Sequence, residues 1–294
     1  MIRVLILGGT GMLGHKLVQL FSNRFETWTT TRSSFSYLEK FGLFDENRTI
    51  TGVDIKNIDT IISVLGKVKP DIVINCVGII KQHEDAYDPI TCLKINSLFP
   101  HQLSNLCHTI DSKLIHIGTD CVFSGKKGDY TEKDISDAED LYGKTKFLGE
   151  ITGMENLTLR TSIIGRELTS TQSLIDWFLS NRGKRVRGFS RAIYSGFTTH
   201  QFAQILGDVI EYHPQLSGLF HVSSEPISKF ELLKLVNQFY HAGITIDEET
   251  EFLCNRNLDS SFFRHRTGFI PPTWETMIEE MAADTTPYDS WHNK

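Results

Sequence analysis

Over its first half the chain alternates short apolar runs with longer amphipathic stretches. Ile2 to Leu7 (IRVLIL) is a β-favouring run that ends in the glycine-rich Gly8 to Gly14 and passes into a helical stretch, HKLVQLF. A second β-like run covers Thr27 to Thr31, and a third ends at Gly52-Val53-Asp54-Ile55. KPDIVINCVG, Lys69 to Gly78, predicts a buried fourth strand and a small-residue turn; LIHIGTDCVFSG, Leu114 to Gly125, predicts a fifth. Strands alternating with helices predict a parallel sheet covered on both faces, with ligands at the carboxyl ends of the strands. After Ile164 the rhythm is lost, and Gly196 to Tyr212 and Leu219 to Val222 predict one more helix and strand returning to the sheet. The expected fold class is α/β: a doubly wound parallel sheet from residues 1–165 with 196–222, and a smaller C-terminal lobe from 166–195 with 223–294. No repeat or long linker separates the two parts, so the expected active site lies in the cleft between them.

Composition narrows the class. At 294 residues, 40% hydrophobic and 22% charged, the chain is an ordinary globular protein. A formal charge of −6 gives no electrostatic footprint for nucleic acid, and the basic stretch Lys184 to Arg191 is too short to change that. No apolar run approaches the ~20 residues that span a bilayer, and the apolar start lacks a basic flank, so a cytoplasmic protein with no membrane partner is expected. Five cysteines, odd in number and without a Cys-x-x-Cys pair, disfavour a disulfide framework and a zinc site. Eleven histidines show no His-x-x-x-His or His-Glu-x-x-His grouping, so no metal is expected.

The candidate chemistry begins at the glycine turn. Gly8, Gly11 and Gly14, with Thr10, Met12 and Leu13 between them, allow close approach of a pyrophosphate, whose charge is stabilised by amides at the following helix N-terminus. At the end of the second run stand Arg32 and Ser33, where a site for NAD places a carboxylate on the ribose. An arginine and a hydroxyl suit a 2′-phosphate and favour NADP(H) over NAD(H); a surface arginine in a loop is the plainer account. Asp54 and Ile55 are candidates for the adenine edge, an acidic turn residue being the alternative. Cys76, Val77 and Gly78 are expected beneath the cofactor. Tyr142 and Lys146 in LYGKTKFLGE are four apart, which on a helix puts an ammonium on the face of a phenol and favours its ionised form.

These features together carry a resemblance. Gly8 to Gly14 in G-x-x-G-x-x-G spacing, Asn96, Thr119-Asp120, Phe123-Ser124-Gly125, Tyr142-Gly143-x-x-Lys146 and Leu159-Arg160-Thr161-Ser162 make the chain similar to the dTDP-4-dehydrorhamnose reductase-like family. That family lies within the extended short-chain dehydrogenase/reductases and has a Rossmann-like cofactor domain. The match is strong over most of the first 165 residues and looser through GLFHVSSEPISKFELL and LDSSFFR. The resemblance implies an NADPH-dependent reduction of a nucleotide-linked 4-keto-6-deoxysugar for polysaccharide biosynthesis. Tyr142 would be the acid, Lys146 would hold the nicotinamide ribose, and Thr119 would donate to the sugar C4 oxygen. Asn96 would support the lysine through water; its alternative is a polar helix residue bonded to nearby backbone.

Cys121 stands where the related 4,6-dehydratases carry a glutamate, which disfavours dehydration; a buried small residue is the reading for this thiol. Cys121 and Ser124 also replace the tyrosine and aspartate usual in the reductases, and IIKQHEDAYDP and FSRAIYSGFTTH depart from the family segments. Thr119, Asp120 and Cys121 are expected at the substrate. Lys184, Arg185, Arg187 and Arg191 could meet a diphosphate, with Arg187 and Arg191 preferred and a solvated basic loop as the alternative. Two further readings stay open: a non-catalytic NADP-binding subunit, like the family's regulatory subunit of methionine adenosyltransferase, and an NAD(P)-dependent sugar-nucleotide epimerase. A homodimer is compatible with each.

Overall fold

In the computed structural model, which describes residues 1–81, 84–153 and 155–292, the chain forms two compact units. The first comprises Met1–Gly118, Glu139–Leu159 and Ala203–Leu219; the second comprises Thr119–Ala138, Arg160–Phe202 and Phe220–Lys294.

The first unit is built on a sheet of seven strands: β1 (Arg3–Leu7), β2 (Glu26–Thr30), β3 (Thr49–Ile50), β4 (Ile72–Asn75), β5 (Lys113–Ile117), β6 (Leu157–Arg160) and β7 (Gly218–His221). Their spatial order is β7-β6-β5-β4-β1-β2-β3, and the ladders from β6 to β3 run parallel. The order reverses between β1 and β4, which makes the carboxyl ends of these two strands the switch point at which doubly wound sheets bind ligands. Val4, Leu5, Ile6 and Leu7 are all fully buried, so both faces of β1 are covered, as an all-parallel sheet requires.

One face of the sheet, through Leu5, Leu7, Val73 and Leu114, packs on α2 (Ile58–Val68) and α3 (Phe99–Thr109) by way of Ile61, Val64, Leu65, Phe99, Leu103 and Cys107. The apolar spacing of IISVL puts Ile61, Val64, Leu65 and Val68 on one side of α2, and each such buried chain contributes about 1.5–3 kcal/mol. Asn57 caps the start of α2 by accepting from the Asp59 amide, and Lys69, left-handed at φ 48°, ends it before Pro70. β1 is joined to α1 (Met12–Phe21) by the glycine turn.

Two details differ from the sequence expectation. β3 stops at Ile50, and Gly52 to Ile55 lie in the turn beyond it rather than at a strand end. Here Thr31 draws the chain in, its amide donating to the Ile50 carbonyl and its carbonyl accepting from Val53. A π-helical turn at Leu93–Leu98 leads into α3, placing Asn96 in a widened turn of a kind that recurs at functional sites.

The second unit holds short strands. Arg185–Phe189 pairs in parallel with Thr245–Glu249, and Ala192–Tyr194 lies between Ile227–Ser228 and Cys254–Asn255. Aromatic rings fill its interior: Phe123 stacks on Tyr130 at 4.1 Å, and Phe263 meets both Phe220 and Phe269 edge-on. Arg166 and Asp176 form a buried ion pair, extended by Asp289 near the end of the chain. No helix among the described residues is long and apolar enough to cross a membrane.

Candidate active site

At the switch point the glycines are required by contact. Gly8 takes φ 85°, and a Cβ there would lie 3.0 Å from Val77 Cγ2. A Cβ on Gly14 would press on the Gly8 carbonyl, 2.9 Å from its carbon and 3.0 Å from Gly9 Cα, so the first turn of α1 packs directly on the loop that feeds it. The loop is fixed by the Gly9 amide donating to Thr30 O at 2.9 Å and the Gly11 amide to Gly8 O at 3.0 Å. Gly11 caps α1 without a side-chain hydrogen bond, so Thr10, Gly11, Met12 and Leu13 surround a helix N-terminus of the kind that holds a phosphate.

Arg32 is exposed in the loop after β2, and the Ser33 amide donates to Thr31 Oγ1 at 3.1 Å. Asp54 accepts from the Lys56 amide at 3.0 Å, the bond of an acidic turn residue, and its own carbonyl accepts from Asn57. Ile55 packs against the core cluster beneath it. Because the Val53 amide donates to Thr31 O, the Arg32 loop and the Asp54 turn are neighbours.

The turn after β4 gathers the remaining residues of this unit. Asn96, 1% exposed, accepts from the Ile79 amide at 2.9 Å, donates to the Ile79 carbonyl at 3.2 Å and donates to Thr145 Oγ1 at 3.3 Å. Its backbone partner is thus 17 residues distant, in the loop that follows Gly78. A Cβ on Gly78 would lie 3.4 Å from Asn96 Oδ1 and 3.9 Å from Lys146 Nζ, so these three residues meet. Residues 82 and 83 of the following IIKQHEDAYDP segment lie outside the described residues.

Tyr142 and Lys146 stand one turn apart on the same face of α4 (Leu141–Leu148). Asp140 caps that helix by accepting from the Gly143 amide at 2.8 Å, and the Thr145 carbonyl takes a bond from Ser97 at 2.7 Å. Lys146 is buried and its Nζ donates to the Ile117 carbonyl at 2.8 Å, at the carboxyl end of β5. Burial lowers its pKa to about 8, with Glu150 and Cys76 pulling the other way. Desolvation pushes the Cys76 thiol up to about 12 despite the nearby ammonium, which leaves it protonated and unsuited to nucleophilic chemistry. Sequence reasoning missed Lys81, whose ammonium lies 5.6 Å over the Tyr142 ring and 2.6 Å from Asp140 Oδ2. The acidic residue directly before LYGK was readable as a helix cap, but nothing local signalled the lysine.

In the second unit, Thr119 caps a short turn at Asp120–Val122; its Oγ1 accepts from the Cys121 amide at 3.1 Å and donates to Asp120 Oδ1 at 3.2 Å. A hydroxyl has one proton, so Thr119 can donate to any other oxygen only after its rotor turns from Asp120. Burial raises the Asp120 pKa, with Arg256 opposing. Cys121 is half-buried, more open than the small core residue expected. Arg187 is exposed on the strand beside Asp247, and the exposed Arg191 offers its carbonyl to the Cys254 amide. Arg256 was not anticipated: half-buried, it donates from Nε to the Phe123 carbonyl at 2.7 Å.

The model of the RmlD substrate binding domain family matches residues 2–286. The chain is similar to a dTDP-4-dehydrorhamnose reductase of Aggregatibacter actinomycetemcomitans, 26% identical over 237 residues, covering 77% of this chain and 74% of that protein. It is also similar to the methionine adenosyltransferase 2 subunit beta of Mus musculus, 25% identical over 246 residues, covering 78% and 70%. In fold it is similar to a dTDP-4-dehydrorhamnose reductase from Bacillus anthracis solved with NADP, with a TM-score of 0.77, 21% identity and coverage of 96% and 99%.

Proposed function

The chain belongs to the RmlD substrate binding domain family, and on that footing we propose that it is an NADPH-dependent oxidoreductase that reduces a nucleotide-linked 4-keto-6-deoxysugar. The observation that carries the proposal is Tyr142 above a buried Lys146 whose ammonium is anchored to the end of β5, in the unit that also holds the glycine turn. The glycines fit a dinucleotide: Gly8 and Gly14 leave the loop no room for side chains, and α1 presents an uncapped N-terminus. Gly8 to Gly14 would take the pyrophosphate, Arg32 and Ser33 the 2′-phosphate, and Asp54 and Ile55 the adenine.

When bound, the nicotinamide supplies a hydride to the ketone carbon. Tyr142 gives its phenolic proton to the ketone oxygen, so that C=O becomes CH–OH and the phenol is restored from solvent. Lys146 holds the ribose hydroxyls and stabilises the transient phenolate, and the Lys81 ammonium over the ring adds to that field. Asn96 keeps the Gly78–Ile79 loop in place, Thr119 binds the sugar oxygen beside Asp120 and Cys121, and Arg187 and Arg191 face the diphosphate. Residues 1–165 with 196–222 are read as the cofactor domain and 166–195 with 223–294 as the substrate lobe, in a cytoplasmic enzyme; a homodimer is part of the same reading, checked by sedimentation.

The test is loss of NADPH absorbance with dTDP- and UDP-linked 4-keto-6-deoxysugars. Turnover by the native protein, lost in Tyr142→Phe with cofactor affinity kept, supports the reading; no turnover with any of these sugars sinks it. The similarity to methionine adenosyltransferase 2 subunit beta favours a second reading, a non-catalytic NADP-binding subunit, for which a partner enzyme co-purifies and Tyr142→Phe changes nothing.

A further inference from the structure

Asn75, the last residue of β4, and His116 on β5 face each other across the parallel ladder, and both are buried, at 1% and 0% exposure. Asn75 Oδ1 accepts from the Val77 amide at 3.1 Å, closing the chain two residues ahead into the Cys76–Gly78 turn. Its Nδ2 lies 3.2 Å from His116 Nδ1. The orientation of the amide follows from chemistry: an amide N–H on Val77 can only donate, so the oxygen of Asn75 faces it and the NH₂ faces the imidazole. His116 Nδ1 is then an acceptor, and the proton of the neutral ring sits on Nε2, which has no hydrogen-bond partner among the described residues. One residue on, the Ile117 carbonyl takes the Lys146 ammonium.

We propose that His116 is a positioning residue for the cofactor: by accepting from Asn75 it locks the amide that shapes the Cys76–Gly78 turn at the switch point. A Cβ on Gly8 would meet Val77 and one on Gly78 would meet Asn96 and Lys146, so a turn that drifts closes on both the pyrophosphate loop and the lysine. Burial and the neighbouring Lys146 and His101 charges hold the imidazole neutral, which keeps Nδ1 able to accept. Protonation would set donor against donor and free the Asn75 amide to flip. That the turn serves a nicotinamide cofactor rests on the reading above.

Two substitutions rank oppositely under this role and under simple packing. In His116→Asn the side-chain oxygen occupies the place of Nδ1 and keeps an acceptor, although volume is lost; His116→Leu fills the space but accepts nothing. The acceptor role predicts that His116→Asn keeps slow hydrogen exchange at the Val77 amide and binds NADPH within about twofold of native. His116→Leu should speed that exchange and weaken NADPH about tenfold, the worth of one buried hydrogen bond. The reverse ranking, or equal exchange in both, overturns the proposal. The exchange measurement needs no cofactor: coupled exchange with no nicotinamide binding in the native protein upholds the Asn75–His116 lock and sinks the reductase reading instead. If His116→Leu does not fold, Asn75→Asp decides. It sets a carboxylate against Nδ1, so the ring proton should move from Nε2 to Nδ1, read in the nitrogen NMR shifts of the imidazole; a ring that keeps its proton on Nε2 rejects the pairing.

Discussion

Lys146 gives its ammonium to the Ile117 carbonyl at 2.8 Å inside a site that is 6% exposed for this residue. A charge held there costs the fold stability. The folded pKa is about 8, while an unfolded lysine titrates near 10.4, so between these values the unfolded chain binds the extra proton. The destabilisation is present in full below about pH 8 and is relieved as pH rises towards about 10. Lys146→Met should therefore be more stable than native by about 2 kcal/mol at neutral pH, less than the full shift because the Ile117 bond is lost too. Urea unfolding should show that advantage shrinking on the alkaline side.

Gly14 and Gly78 should separate structural from functional glycine. Gly14→Ala forces a methyl onto backbone at Gly8 and Gly9, and should cost about 2–4 kcal/mol with a lower melting temperature. Gly78→Ala meets only ordinary contacts, the nearest at 3.4 Å, and should melt within about 0.5 kcal/mol of native. Its methyl points towards Asn96 and Lys146, so NADPH titration should show at least a tenfold weaker affinity, on the order of 1.4 kcal/mol.

Arg32 is exposed, so its replacement leaves the fold intact. Arg32→Ala should weaken NADPH by about tenfold to a hundredfold, the loss of charge-assisted bonds to a 2′-phosphate, and leave NADH unchanged. Parallel titrations with the two cofactors check this; equal losses for both would return Arg32 to the role of a loop arginine.

Arg166 neutralises Asp176 in the second unit, where burial alone raises the aspartate pKa and the guanidinium pulls it back. Arg166→Met leaves the acid without its guanidinium, keeping the Glu167 amide, Ser173 and His292, with a folded pKa further above its unfolded value. The stability of that variant is then lost as pH rises through the folded value. Denaturation at pH 8 should show a deficit of about 3 kcal/mol against native, shrinking as the pH is lowered and Asp176 takes up a proton.

Local pattern made the sheet and the Tyr142–Lys146 face legible, because strand runs such as IRVLIL and an i,i+4 pair are properties of neighbouring residues. The two-residue β3 escaped it: GVDI reads as strand, and only the Thr31 bonds to Ile50 and Val53 show that the chain has already turned. Asn96 stood out in the sequence, but its grip on Ile79 did not, since a π-helical turn and a backbone partner in another loop leave no periodic trace. Lys81 and Arg256 went unseen for the same reason: each matters through what folding brings to it, the Tyr142 ring in one case and the Phe123 carbonyl in the other.

Each compact unit is assembled from three separated stretches, so the chain passes between them five times before it ends. On the ribosome, the first unit has emerged as far as Leu159 while still lacking Ala203–Leu219, and with them half of β7, the edge strand of the sheet. The β6 edge of the nascent sheet stays unpaired until that late stretch arrives. Neither unit is a contiguous gene fragment, and the two become complete only within one act of synthesis.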